Sequence, residues 1–330
     1  MTRYWAYGLG AVVMILAAGC QSPQEIRPFT DAQLRGFYSR AKDPRQFWLT
    51  PYESNDGPVY SGANRLHPEK MAQFQFRGNS RSTAPIIPFK AERPENEFLA
   101  LVDTSSKESW LDLNTARGVG VTPIAPPPAR VIPEHVQETI TGYATVARQL
   151  LLDKCPIEMA LLFTRGATGP LGALARGEEH PRPGAVFGYD LLRQFAFVQF
   201  DFALRTITFS SSIDYNPEPE VLVASVPFFL QDGALAVRGT VEGEPTTILL
   251  DTAGDFELAL KEPRLDPVRR LGLGSLVIMN VNPAIHQDFN LGLTDYPRVG
   301  RKLLARYRIT ISNKQRRIFF ERPSRLPKAK

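Results

Sequence analysis

Two short apolar runs in this chain each end in the dipeptide Asp-Thr, and that repetition constrains the fold more than any other feature. The first is Phe98-Leu99-Ala100-Leu101-Val102-Asp103-Thr104-Ser105-Ser106; the second is Thr247-Ile248-Leu249-Leu250-Asp251-Thr252-Ala253-Gly254-Asp255. Consecutive aliphatics bounded by turn residues suit a strand covered on both faces. Each aspartate then sits at a strand end, with its backbone anchored and its carboxylate able to face a cleft. In the second run Thr252 can hydrogen-bond locally, and Gly254 can take a positive φ that other residues resist.

The surroundings repeat as well. Gly188-x-x-Leu191-Leu192-x-x-Phe195 overlays Gly300-x-x-Leu303-Leu304-x-x-Tyr307. These glycines lie 112 residues apart and the aspartates 148 apart, so the first copy carries 36 extra residues between its aspartate and its glycine. An internal duplication accounts for both offsets. Twenty-eight prolines and twenty-four glycines in 330 residues agree with many short strands and turns. Phe197 to Asp201 with Thr206 to Phe209, and Tyr307 to Ile311 with Arg317 to Phe320, read as closing hairpins of the two copies. Thr139 to Leu152 reads as a hairpin turning at Gly142-Tyr143, a candidate flap because it follows Asp103. Thr30-Asp31-Ala32-Gln33-Leu34 marks a helix start.

The N-terminus reads as a processing signal. Arg3 precedes an apolar run, Trp5 to Ala18, that is shorter than the roughly 20 residues of a comfortable membrane span. It ends in Leu16-Ala17-Ala18-Gly19-Cys20, which resembles a bacterial lipobox, with Ala17 in place of the commoner large aliphatic. An ordinary signal peptide or uncleaved anchor is the other reading. On the first, Cys20 carries lipid, and Gln21 after it gives no signal for inner-membrane retention. The expected location is the cell envelope, lipid-anchored on the extracytoplasmic side, at the outer membrane if there are two. Cys155 is then the one remaining thiol, so no internal disulfide is expected, and its apolar surroundings suit a buried, inert side chain. The net charge of +5 is mild and its basic residues are spread, which argues against a nucleic-acid partner. The four histidines (His67, His135, His180 and His286) have no ligand spacing, so neither a metal nor a cofactor is expected.

Asp-Thr after an apolar strand, followed by apolar-Gly and a Leu-Leu helix, resembles one half of an aspartic peptidase of the retropepsin and pepsin type. The resemblance spans about residues 72 to 320. It implies a mostly β fold of two tandem closed β-barrel lobes, each with a short C-terminal helix, facing across a cleft. The corresponding division is a signal peptide at 1–19, a tether and N-terminal segment at 20–70, a first lobe at 71–215 and a second at 216–330. The resemblance assigns Asp103 and Asp251 as a catalytic dyad within a monomer acting on a peptide or protein substrate. Thr104 and Thr252 would lock the two turns together, with Ser105, Ala253, Gly254, Gly188 and Gly300 in support. Asp255 and Arg301 would form an ion pair tying the second turn to its helix, a pair that Lys107 and Tyr189 cannot make in the first copy.

Neither copy has glycine at the third position of the Asp-Thr-Gly pattern, where Ser105 and Ala253 stand instead. Two functions therefore remain open: an envelope-anchored aspartic endopeptidase, or an inactive lipoprotein of the same shape that binds a peptide or partner protein in the cleft.

Overall fold

The computed structural model describes residues 26–54, 57–79, 81–125, 129–135, 138–169, 171, 174, 180–262, 264–284 and 295–324. The lipobox and Cys20 lie outside the described residues. The fold is mostly β, with short helices at Asp31–Tyr38, Leu113–Val119, Tyr189–Leu192 and Arg301–Leu304. Among the described residues no helix is long and apolar enough to cross a membrane.

In the first half, six strands pair in a ring. The order runs Ile86–Ala91, Arg93–Val102, Ala185–Phe187, Trp110–Asp112, Cys155–Arg165 and Glu138–Leu152, which pairs back to Ile86–Ala91. The first aspartate strand sits inside this ring. Ala100, Leu101 and Val102 are all fully buried, as a strand covered on both faces requires. In the second half the pairings branch at Ala234–Val241, which contacts Leu222–Gln231, Glu244–Asp251 and Val268–Leu273. Closure into a barrel, expected for both halves, is thus seen among the described residues in the first only.

The two aspartate strands have the same parallel neighbour in the same register. Leu101 lies opposite Val186, and Val102 opposite Phe187. In the second copy Leu249 lies opposite Arg298, Leu250 opposite Val299 and Asp251 opposite Gly300. The offsets of 148 and 112 read from the sequence are reproduced in these pairings. Between the halves runs a six-strand antiparallel layer in the order Met71–Gln75, Thr206–Ser210, Phe197–Asp201, Arg308–Ser312, Arg317–Glu321 and Leu222–Gln231. Its central seam joins the closing hairpins of both copies, with Val198 opposite Ile311 and Gln199 opposite Thr310. One apolar core continues through the layer, from Val102, Phe187 and Phe209 to Val226, Leu250 and Phe320.

One expectation needs correcting. Gly142 and Tyr143 do not make a turn: they lie within the fifteen-residue strand Glu138–Leu152, which pairs with Cys155–Arg165 from Gly142 onward. The β-branched and apolar residues around them favour continued pairing over a break. The N-terminal segment that precedes the first half contributes to the core at separate points. Phe37, Phe47 and Leu49 are buried, and Arg65–Leu66 pairs with the strand Cys155–Arg165. The helix Asp31–Tyr38 starts where the sequence signals it, with Thr30 and Gln33 forming a capping box.

Candidate active site

Both aspartates arrive at the site on strand ends whose next residue is a buried threonine. The two threonines join the turns by four reciprocal bonds. Thr104 Oγ1 donates to the Leu250 carbonyl at 2.6 Å, and Thr252 Oγ1 donates to the Val102 carbonyl at 3.0 Å. The Thr104 N–H donates to Thr252 Oγ1 at 3.2 Å, and the Thr252 N–H to Thr104 Oγ1 at 3.3 Å. Each bond has its counterpart 148 residues along the chain. Because all of these groups are buried, their mutual satisfaction fixes the spacing of the turns.

Each carboxylate is oriented by its own turn. Asp103 Oδ1 accepts from the Ser105 N–H at 2.8 Å and from Ser105 Oγ at 2.7 Å. Asp251 Oδ1 accepts from the N–H groups of Gly254 at 2.7 Å and Ala253 at 3.1 Å. The two departures from Asp-Thr-Gly therefore have distinct places. Ser105 supplies a hydroxyl donor to Asp103, while the Ala253 methyl is fully buried in a cluster with Leu101, Val186 and Ile86.

Glycines close the turns by allowing near approach. Gly254 does not take a positive φ. A Cβ there would meet the Phe256 ring at 2.3 Å and the Asp251 carboxyl carbon at 3.0 Å. Gly188 and Gly300 do the same work in both copies. A Cβ at Gly188 would lie 2.4 Å from the Glu108 carbonyl oxygen, and one at Gly300 2.3 Å from that of Phe256. Behind them, the N–H groups of Tyr189 and Arg301 donate to the carbonyls of Ser106 and Gly254, each at 2.8 Å.

The tie from turn to helix differs between copies. In the second, Arg301 is fully buried; it reaches Asp255 Oδ1 at 2.7 Å and donates to the Ala253 carbonyl at 2.6 Å. Lys302 holds the other Asp255 oxygen at 3.1 Å. In the first, Ser109 takes over: its Oγ donates to Asp190 at 2.6 Å and accepts from the Gly188 N–H at 2.9 Å. Tyr189 instead donates to Asn313 at 2.6 Å. The Ser109–Asp190 pair escapes sequence reasoning because neither residue belongs to the repeated pattern.

Arg298 was also missed. Its Nη1 lies 3.8 Å from Asp251 Oδ2, and its side chain is 15% exposed. The signal available was the offset of 112, which sets this arginine at the place of Val186.

Burial and mutual repulsion shape the titration of the pair. Asp251, 0% exposed, is pushed up to about 7, chiefly by burial and next by the charge of Asp103; Arg298 and the two turn N–H groups pull the other way. Burial likewise raises Asp103, against its bonds from Ser105 and the nearby Arg298. Two acids that interact in this way share a proton over a range of pH, and the titration belongs to the pair. Such a pair can hold one neutral and one charged carboxyl at the same time. Among the described residues no group of histidine, cysteine and carboxylate side chains could hold a metal ion. Cys155 is buried, and burial pushes its thiol up to about 11, which leaves it a poor nucleophile.

No family model matches the chain, and no curated protein matches it. Among solved structures it is similar to the basic 7S globulin from soybean, at 10% sequence identity and a TM-score of 0.44, over 77% of this chain and 95% of that one. A likeness this distant carries no argument about function.

Proposed function

We propose that the protein is an aspartic endopeptidase of the retropepsin and pepsin type, with two tandem lobes in one chain meeting at Asp103 and Asp251. The observation that carries this reading is the reciprocal threonine lock, which sets two buried and mutually repelling carboxylates at equivalent places in the duplicated halves. With one proton between them, the charged carboxylate draws a proton from a water as it attacks the peptide carbonyl. The neutral one protonates the carbonyl oxygen; the carboxyl that took the water's proton then passes it to the nitrogen, and the other carboxylate recovers a proton from the adduct's hydroxyl as the amine leaves. The raised affinity of Asp251 for its proton supports its holding that proton near neutral pH. Lipid attachment at Cys20 and an extracytoplasmic location complete the proposal, and they rest on the lipobox alone.

Binding of a peptide without turnover is the alternative, and the enclosure of Asp251 beside Arg298 favours it. The deciding experiment incubates the full chain, in detergent, with a diverse peptide mixture and follows cleavage by mass spectrometry. Asp103→Asn and Asp251→Asn should each lower cleavage on the order of 10³-fold or more. Cleavage unchanged in both variants would remove the dyad. Peptide binding without cleavage, indifferent to both substitutions, would establish the alternative.

A further inference from the structure

Arg298 breaks the duplication of the site beside one aspartate only. Its strand, Arg298–Gly300, runs parallel to the second aspartate strand, with Arg298 opposite Leu249 and Gly300 opposite Asp251. Residues two apart in a strand share a face, so Arg298 projects from the same side of the sheet as Asp251. The matching residue of the first copy is Val186, opposite Leu101, and it is buried in an apolar cluster. One flank of the dyad is therefore hydrocarbon and the other carries a guanidinium.

That guanidinium has a donor to spare, its Nε. The 3.8 Å separation from Asp251 Oδ2 is too long for a hydrogen bond, and both Arg298 Nε and Asp251 Oδ2 are buried without a hydrogen-bond partner. A largely enclosed cation with an unpaired donor is costly to keep, and a planar fork of this kind suits bidentate recognition of a carboxylate. The charge count agrees. A dyad sharing one proton carries a single negative charge, which Arg298 balances, so an arriving carboxylate meets no net repulsion at its own step. Without Arg298 the same carboxylate would approach an anionic site.

Resting on the peptidase reading, we infer that Arg298 selects substrates bearing an acidic side chain, Glu or Asp, on a residue flanking the scissile bond. The carboxylate takes the guanidinium at its unpaired Nε edge, whereas Val186, closed within its apolar cluster, offers no matching group in the first copy. Arg298 is thus a specificity-determining residue, and the dyad performs the bond cleavage.

The test compares matched fluorogenic peptides carrying Glu, Gln or Leu at the flanking residue, cleaved by the full chain and by its Arg298→Val and Arg298→Lys variants. Binding of the same peptides is followed by fluorescence anisotropy in an Asp103→Asn background, with and without Arg298→Val. The wild type should favour Glu over Gln by about tenfold in kcat/KM, chiefly through KM. Arg298→Val should abolish or invert that ratio, and Arg298→Lys should keep part of it. Dyad-dependent cleavage with a Glu-to-Gln ratio that Arg298→Val leaves unchanged overturns the inference while the peptidase reading stands. If no peptide is cleaved, anisotropy decides: an Arg298-dependent preference for the Glu peptide upholds the acidic-ligand site while peptidase function falls, and no such preference ends the inference.

Discussion

Thr104 and Thr252 each spend their hydroxyl proton on the carbonyl of the strand that leads to the other, at Leu250 and Val102 respectively. Each oxygen then accepts the other threonine's N–H. The halves of the site are joined at this point by hydrogen bonds that neither half could make alone.

Replacing either threonine by valine keeps the shape and removes a donor and an acceptor. A carbonyl and an N–H are left buried and unpaired, so each single variant should lose about 2–4 kcal/mol in denaturant unfolding. Thr104→Val with Thr252→Val should cost less than the two single losses added together, because the same bonds are broken by either change. Additive losses would show that the four bonds do not act as a unit.

Asp251 holds its proton more tightly in the folded chain than in the unfolded one, having moved from the ordinary 3.8 up to about 7. Between about pH 4 and pH 7 the folded state therefore binds more protons, and stability contributed by this group is lost as the pH rises through that window. Urea unfolding across the range should show wild-type stability falling relative to Asp251→Asn, which cannot titrate. Cleavage should likewise fall above about pH 7 as the shared proton leaves. A flat stability difference would contradict the enclosed, repelled carboxyl.

Asp255 and Arg301 form a buried ion pair in which the arginine has no solvent contact. Asp255→Ala removes the carboxylate that faces this buried cation and should cost about 3–5 kcal/mol. Adding Arg301→Met should recover part of the loss, since the buried charge goes with it. Thermal unfolding of the two variants checks the order.

Gly300→Ala and Gly188→Ala should each destabilise the fold by at least about 2–3 kcal/mol, because the new methyl would press against a backbone carbonyl that cannot move aside. Gly36→Ala, where a Cβ would meet nothing within 4 Å, is the control and should be neutral or mildly stabilising. Comparison of their unfolding midpoints is sufficient.

Ser105→Ala removes the 2.7 Å bond from the hydroxyl to Asp103 and leaves the N–H bond in place. That donor favours the charged form, so its loss should raise Asp103 further and move the acid limb of the cleavage profile upward. An unshifted acid limb would show that the serine has no share in tuning the pair.

What was legible in the chain was what repeats. Asp103 and Asp251, Gly188 and Gly300, and the Leu-Leu helices announce themselves through two constant offsets, because both copies solve the same close-packing problem with the same residue types. The Asp255–Arg301 pair, which only the second copy can make, was expected from the resemblance and not from the repeat. Arg298 and Ser109–Asp190 were not legible, since each replaces something in one copy only and acquires meaning when the fold brings it beside an aspartate. Gly142 misled because glycine next to tyrosine reads as a turn over a short window, whereas pairing along the whole of Glu138–Leu152 decides the matter. The burial of Phe37 and Phe47 was hidden as well, for their partners come from distant parts of the chain.

The six-strand layer joins hairpins whose sequence positions are more than a hundred residues apart, with Val198 facing Ile311 at the seam. Neither hairpin has its neighbour until the last strands have been synthesised. A ribosome paused halfway would hold a product with a raw β edge, unable to finish and prone to join its own kind. The seam between the halves can close only once both hairpins exist.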